Sequence, residues 1–585
     1  MTAYSIFGAG PGGLYTAWRL AMNAVNGDEI RLYEWGNYDF PDATGGTRQP
    51  AGRICSHHYK GDPNQSYVEL GGMRYIEWDG TQGHFLVTTT INTLPGLASF
   101  KTPFNTTANP LFYLRRQTPF YQQQLGQAVK APYNTPDNDK PADALFNQVS
   151  KAITGAQSPK TRTAQCEFYA KGTLPEDLKS FVYRKGDLAG NVGYWNFFYD
   201  QANNEGYEYA GDANGYTSNV ISWNAANAAI YNGEFAPGGN YMTLSGGYSM
   251  LFARLYSRIK ELAQQRGFKF NFFPKTRLHS IWIVPFGTIA YRLASAENPF
   301  WPQRGESYTK YAFLCMPPRS LELVACATRY ADTHGKIDIL NDKDVQNLLQ
   351  SVILQPSYKI AMFFDSDWWT NAKFPPKLGN NIFGPTITDL SLRQVYYFGN
   401  NAPRRSGPPV YGLLASYDDM QYTTFWQGME LSAAQRRTSP LSWDYQPLVG
   451  PREASPEMER MLLQELAAIH YGSRDEAGKI PKPTQTSYIN WGLDPFGAGY
   501  HAWAAHFNIG HVMQQIRKPT PDANLFIIGS AFSNDQAWVE GAFCTAESVL
   551  IDYLKLPPLT TIPSSYPLIC KSSAPDSVAA HAGVV

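Results

Sequence analysis

The sequence predicts a mixed α/β (α+β) protein of more than one domain, and three observations carry that expectation. At 585 residues the chain exceeds what one hydrophobic core usually organises, so two domains are expected. Residues 3–34 follow a strand, glycine turn, helix, strand order, which is a βαβ opening. Farther along, the runs Gln394–Phe398 and Val410–Tyr417, joined by the polar loop Gly399–Pro409, read as an antiparallel hairpin.

The opening has the clearest grammar. An apolar strand over residues 3–7 meets Gly8-Ala9-Gly10-Pro11-Gly12-Gly13, and a helix from Leu14 to Asn23 follows, with Leu14, Ala17, Trp18 and Ala21 on one face. A second strand, Glu29–Glu34, ends in an acid. Gly8 permits the tight turn, Gly10 lets backbone approach a pyrophosphate, and Gly13 lets the helix pack on the sheet. The helix N-terminus offers free N–H groups to phosphate. Glu34 lies 21 residues beyond Gly13, where an acid accepts hydrogen bonds from ribose hydroxyls. Together these predict a Rossmann-like dinucleotide-binding unit; a glycine-rich structural turn is the alternative, and the motif alone does not separate FAD from NAD.

The middle of the chain is less regular. Residues 128–146, with Pro132, Pro136 and Pro141 among Asn and Asp, read as a surface connection. A helix is expected over 245–266, then strands at Lys269–Phe273, Ser280–Val284, Tyr311–Met316 and Lys359–Phe364. Leu525–Ile528 reads as a strand, Val539–Tyr553 as a helix, and the Pro- and Ser-rich stretch from Pro557 as a loosely held tail.

Composition narrows the function classes. Lys plus Arg equals Asp plus Glu at 49 each, so nothing electrostatic favours nucleic acid or anionic lipid. No apolar stretch approaches 18 residues, so no membrane span is expected. The N-terminus enters the strand Ala3–Phe7 without a basic and then apolar segment, which speaks against an ordinary signal peptide. The cysteines Cys55, Cys166, Cys315, Cys326, Cys544 and Cys570 form no CxxC pair. This spacing predicts neither a disulfide framework nor a zinc site, and a reducing, cytoplasmic compartment. His501, His506 and His511 recur every five residues, which does not stack them on one helical face, so no metal is expected. Cys55-Ser56-His57-His58 reads as loop.

Several segments beyond the βαβ unit carry a resemblance. Glu69-Leu70-Gly71-Gly72-Met73-Arg74 is similar to the segment following the dinucleotide unit in flavin amine oxidases, particularly L-amino-acid oxidases. Ile528-Gly529-Ser530-Ala531-Phe532-Ser533, continuing through Ala537-Trp538-Val539-Glu540-Gly541-Ala542, resembles that family's second flavin-contacting motif. Lys359-Ile360, with Trp369 ten residues later, looks like its lysine strand, and Thr388-Asp389-Leu390 leads to Tyr396-Tyr397. Asn109–Arg115 points to the bacterial branch of L-amino-acid oxidases and amino-acid 2-monooxygenases. The chain departs from the family in having Ser530 where Glu usually contacts the ribityl chain, Ala537 where Gly is usual, and a long link from Glu34 to Gly52-Arg53.

The resemblance implies FAD as cofactor and a glutathione-reductase/amine-oxidase type of fold. The FAD-binding domain would collect residues 1–80, 240–320 and 480–556. The substrate domain would take 81–239, with a helical part, and 321–479, with an antiparallel sheet; 557–585 would be the tail. It implies cofactor contacts from Gly8, Gly10, Gly13, Glu34, Arg53, Gly72, Met73, Arg74, Leu278, Met316, Gly529, Ser530, Trp538 and Val539. Arg74 would pair with a substrate carboxylate, because a guanidinium fork binds it bidentately. Tyr417 would add a second hydrogen bond, Lys359 would hold a water near flavin N5, and Trp538 would wall the pocket. The implied reaction is oxidation of a small-molecule L-amino acid by molecular oxygen, giving 2-oxo acid, ammonia and hydrogen peroxide, in a possible homodimer. Alternatives are an amino-acid 2-monooxygenase, a dehydrogenase, a non-catalytic flavin-binding module and, with less support, an NAD enzyme. Substrate side chains stay open: the aromatics suit a large one, and Asp212 or another acid could receive Lys or Arg.

Overall fold

The computed structural model describes residues 2–36, 52–155, 158–176, 183–232, 240–295, 301–331, 335–404, 407–430 and 450–571. The opening unit consists of β1 (Ala3–Phe7), α1 (Pro11–Ala21) and β2 (Glu29–Tyr33). α1 begins at Pro11, ahead of the expected Leu14, because the fixed φ and missing N–H of proline suit a first helical turn. β1 and β2 pair in parallel, Ala3 opposite Glu29 and Phe7 opposite Tyr33. The strands Lys269–Phe273, Tyr311–Leu314 and Asn524–Ile527 complete a five-stranded parallel sheet. Numbered by chain order its strands lie 3-2-1-4-5. The order reverses between β1 and Tyr311–Leu314, and ligands of open α/β sheets bind at such a switch point, beyond the carboxyl ends of the strands. α1 packs between the helices Met250–Arg266 and Val539–Asp552, which is why Leu14, Tyr15, Ala17, Leu20 and Ala21 are all buried.

The second layer system is an eight-stranded sheet centred on Ser357–Phe364, flanked by Gln485–Asn490 and Tyr411–Asp419. Its Gln394–Gly399 and Tyr411–Asp419 strands pair antiparallel, as the two apolar runs predict. Leu111–Tyr113 joins Thr386–Thr388 in parallel. The helices α2 (Phe85–Thr93), α3 (Asp143–Thr154), α4 (Arg162–Lys171), α5 (Tyr194–Asn214) and α6 (Ala225–Tyr231) precede this sheet's central strands in the chain. Among the described residues no helix is long and apolar enough to cross a membrane.

Four expectations are corrected. Ser56–His58 is a strand, β3, antiparallel to β4 (Tyr67–Glu69); strands this short hold too few residues to show a period. The stretch 128–146 is not a free surface connection. Ala131, Tyr133 and Thr135 are buried, and α3 starts within it at Asp143. The tail is a fixed strap as far as Lys571, with Tyr566, Leu568, Ile569 and Cys570 buried; residues 572–585 lie outside the described residues. Finally, the cysteine spacing predicts no disulfide, yet Cys570 is bonded to Cys166 across a sequence separation of 404. The fold brings the two together, and no local motif announces such a pairing. Cys55, Cys315, Cys326 and Cys544 are free.

Candidate active site

One cavity runs along the carboxyl end of the parallel sheet and under the second sheet. The glycine turn forms part of its floor. Gly8 has φ +105°, and a Cβ there would collide with the Cys315 carbonyl. A Cβ on Gly13 would collide with the Gly8 carbonyl, so Gly13 is a packing residue and does not line the cavity. Gly10 differs: its Cβ would come no nearer than 3.6 Å to Gly52 Cα. Protein packing alone does not demand a glycine there, but a close ligand would. α1 has no side-chain cap, so its first N–H groups are left for one. Glu34 also lines the cavity; its carboxylate accepts from Ala9 N–H at 2.6 Å and Gly36 N–H at 2.8 Å, and burial raises its pKa.

The β3–β4 hairpin delivers the next groups. Leu70 N–H and Gly72 N–H donate to the Cys55 and Arg53 carbonyls, and the backbone approaches so closely at Gly71 that a Cβ would strike Arg53 and Cys55. This clamps Arg53 and Gly72-Met73-Arg74 against one cavity. Arg53 Nη1 donates to the Gly499 carbonyl at 3.0 Å, and desolvation depresses its pKa to about 10. Arg74 is buried, its guanidinium 3.9 Å from the Tyr241 ring centroid and 5.5 Å from that of Phe104. Its Nη1 has no hydrogen-bond partner, and it has no carboxylate partner among the described residues.

Lys359 and Tyr417 sit directly opposite each other on adjacent strands, at the register Lys359↔Tyr417. Lys359 Nζ therefore lies 4.2 Å from the Tyr417 ring centroid. It donates to the Gly71 carbonyl at 2.7 Å and lies 3.4 Å from that of Glu69. Burial pulls its pKa down to about 7, and the Arg74 charge adds to that against the opposing pull of Glu69. Tyr216 meets Tyr417 edge-on at 5.3 Å. On the far side, Trp538 caps the helix Val539–Asp552 and donates its backbone N–H to the Asp535 carbonyl at 3.2 Å. Its ring meets His84 at 4.7 Å.

The structure thus brings Gly8, Gly10, Glu34, Arg53, Gly72, Met73, Arg74, Leu278, Met316, Lys359, Tyr417, Gly529, Ser530, Trp538 and Val539 to one cavity, and leaves Gly13 behind its wall. Asp212 is elsewhere. It binds Arg393 at 2.8 Å and the Tyr133 hydroxyl at 2.7 Å, because fully buried Arg393 needs a counter-ion. Asn109–Arg115 also lies apart, Arg115 pairing with Glu205 at 2.9 Å. Tyr216, Asn219, Arg277, Trp491 and Tyr500 line the cavity without having been singled out in the sequence. They come from loops and strand ends with no motif; Arg277 alone had a signal, adjacency to Leu278.

The parallel sheet, its glycine turn and the switch-point cavity define a dinucleotide-binding type of α/β fold with a second sheet over the same cavity. No family model matches the chain. It is 23% identical to Aplysianin-A of Aplysia kurodai over 571 residues, 94% of this chain and 90% of that one. It is 22% identical to achacin of Lissachatina fulica, covering 94% and 92%. L-amino-acid oxidase 4 of Hebeloma cylindrosporum matches at 25% identity over 245 residues, 41% of this chain and 34% of that one. In structure, the chain superposes on putrescine oxidase bound to putrescine with a TM-score of 0.57 at 11% identity, covering 95% and 99%. Cyclohexylamine oxidase from Brevibacterium oxydans gives 0.56 at 11%, covering 94% and 98%. Over nearly its whole length the chain is thus similar to Aplysianin-A and achacin, over part of it to an L-amino-acid oxidase, and it shares its fold with putrescine oxidase and cyclohexylamine oxidase.

The cavity fits FAD on its own chemistry. Gly10 leaves room for close approach, and α1 presents an uncapped N-terminus. Arg53 is a half-buried cation whose contacts at Ala498, Gly499 and His501 include no carboxylate.

Proposed function

We propose that the chain is an FAD-dependent L-amino-acid oxidase, converting an L-amino acid to a 2-oxo acid, ammonia and hydrogen peroxide. One observation carries this reading: the buried Arg74 guanidinium, with Nη1 unsatisfied, lines the same cavity as the glycine turn. A buried charge without a partner costs roughly several kcal/mol, and a substrate carboxylate would relieve that cost through two parallel N–H···O bonds. Putrescine and cyclohexylamine, named for the structural neighbours' enzymes, carry no carboxylate and would leave Arg74 unanswered.

Bound FAD would supply the hydride acceptor and the centre that reduces oxygen. The chain's own residues prepare the substrate. Arg74 and the Tyr417 hydroxyl hold the carboxylate, and Trp538 limits the opposite wall. Lys359, with a pKa pulled to about 7, exchanges a proton at Nζ near neutrality. In its neutral form two N–H groups serve the Gly71 and Glu69 carbonyls, and the lone pair is left to take a proton from the substrate ammonium, directly or through a water. Amine deprotonation is required before hydride can leave Cα. The imino acid is then hydrolysed by water. The Cys166–Cys570 disulfide supports maturation in an oxidising compartment rather than the cytoplasm.

The test is an anaerobic screen of the twenty L-amino acids against the FAD-loaded chain, following loss of flavin absorbance, then product analysis in air. Bleaching followed by 2-oxo acid, ammonia and peroxide is expected. Amide and carbon dioxide would assign a monooxygenase instead, and a flavin spectrum indifferent to every amino acid and amine would leave a non-catalytic flavin protein.

A further inference from the structure

A buried polar cluster lies immediately behind Trp538, outside the cavity lining. Its centre is Arg162 on α4, buried and 2.5 Å from the Asp535 carboxylate. The carbonyl of the same Asp535 receives the Trp538 backbone N–H. Arg162 also lies over the Tyr566 ring at 3.8 Å. Tyr566 belongs to the strap, and its hydroxyl donates to Glu540 Oε1 at 2.8 Å. The Glu540 carboxylate in turn accepts Leu86 N–H and Val87 N–H, both at 2.8 Å, at the start of α2. His84, the residue preceding that helix, sets its ring against Trp538. Two routes therefore run from the strap to one pocket tryptophan: Tyr566–Arg162–Asp535 to its backbone, and Tyr566–Glu540–α2–His84 to its ring. The strap is locked where Cys570, buried beside Asn534, is bonded to Cys166 of α4, one turn from Arg162. Cys166 is the more exposed of the two cysteines.

We propose that the strap Pro557–Lys571, closed by Cys166–Cys570, is a positioning element for Trp538, and that opening this disulfide slows substrate oxidation while FAD stays bound. The proposal rests on the reading that Trp538 borders the reacting end of the cavity. The floor of the nucleotide site, around Gly8, Gly10 and Arg53, makes none of these contacts, so the groups there keep their hold on FAD when Trp538, one cofactor contact among many, shifts. A dithiol opens the bond by thiolate attack on Cys166 Sγ. The Sγ–Sγ bond breaks, Cys570 leaves as a thiolate that takes a proton, and the reagent's second thiol closes its own disulfide and releases Cys166. Two electrons pass from dithiol to protein, and titratable thiols rise from the four free cysteines to all six.

The experiment compares the FAD-loaded full chain before and after dithiothreitol with Cys166→Ser/Cys570→Ser and Tyr566→Phe. Three readouts are followed: bound FAD after ultrafiltration, the near-UV circular dichroism band identified as Trp538 by its loss in Trp538→Phe, and the limiting anaerobic rate of flavin reduction. The reductant is whichever L-amino acid bleaches the untreated chain fastest. The strap account expects retained FAD, a shifted Trp538 band and a rate lower by about tenfold, since small misplacements of a pocket wall act at this scale. kcat should fall far more than KM changes, the loss should reverse on reoxidation with oxidised glutathione, and Tyr566→Phe should show a smaller loss in the same direction. Six titratable thiols with an unchanged band and rate would overturn it. If the double variant does not fold, the dithiothreitol-opened chain and Tyr566→Phe decide the matter. If no amino acid bleaches the untreated chain, the oxidase reading fails alone, and the Trp538 band still judges the strap.

Discussion

At the scale of single residues, the cavity holds two buried cations that form no salt bridge among the described residues. Arg74 is stacked on Tyr241 and left with a free Nη1, while Lys359 is held between two carbonyls and an aromatic face. Lys359 has a definite pH signature. In the unfolded chain its pKa is near 10.4; in the folded chain burial lowers it to about 7. Below about pH 7 both states hold the proton and the folded chain bears the full cost of a buried ammonium. Between about pH 7 and about pH 10.4 the unfolded state binds more protons, so this residue's contribution to stability rises with pH across that window. Lys359→Met should raise the melting temperature at about pH 6.5, with the gain shrinking by about pH 9.5. In kinetics, the rate of flavin reduction should rise as pH passes about 7, and Lys359→Met should abolish that limb. An unchanged profile in the variant would remove Lys359 from the proton step. Arg74, Lys359 and Tyr417 were legible because each sits in a recognisable segment. Tyr216, Asn219 and Tyr500 were not, since residues brought in by irregular chain leave no pattern behind.

Among the elements, the glycine turn separates packing from binding. Gly13 and Gly10 belong to one motif, yet an added Cβ collides with protein only at Gly13. Gly13→Ala should therefore lower the melting temperature of the FAD-free chain, whereas Gly10→Ala should fold with little change and bind FAD at least about tenfold more weakly, the loss of one close phosphate contact being worth about 1.4 kcal/mol or more. Thermal melts and FAD titration of both variants check this; weak FAD binding in neither would place the pyrophosphate elsewhere. The βαβ unit and the hairpin at Gln394–Asp419 were readable because their apolar periods run for several residues. β3 and β4, three residues each, were not, although they carry Arg53 and Arg74 into place. Their strand character comes from pairing with each other, a tertiary fact.

Across the whole molecule, the chain is closed at its C-terminal side by contacts that no local sequence reading anticipates. The Pro- and Ser-rich composition after Pro557 suggested a loose tail, but Tyr566, Leu568 and Ile569 are buried and Cys570 is bonded 404 residues back. Composition reports average solvent preference; it does not report which few side chains find a distant pocket. Arg162→Met should strand the Asp535 carboxylate, 3% exposed, and cost about 3–5 kcal/mol of stability, read as a shift in the denaturant midpoint; a neutral effect would mean that the pair is dispensable.

In the proposed reaction Arg74 answers a substrate carboxylate, and a matched pair of reductants tests that pairing. The rates of anaerobic flavin reduction by an L-amino acid and by its decarboxylated amine are compared in the FAD-loaded chain and in Arg74→Met. The amino acid should lead in the unaltered chain, and the substitution should cut its rate by about a hundredfold, equivalent to about 3 kcal/mol for truncating a buried charge pair, while leaving the amine's rate and FAD binding nearly untouched. Equal losses for both reductants, or an amine that outpaces the amino acid from the start, would contradict it.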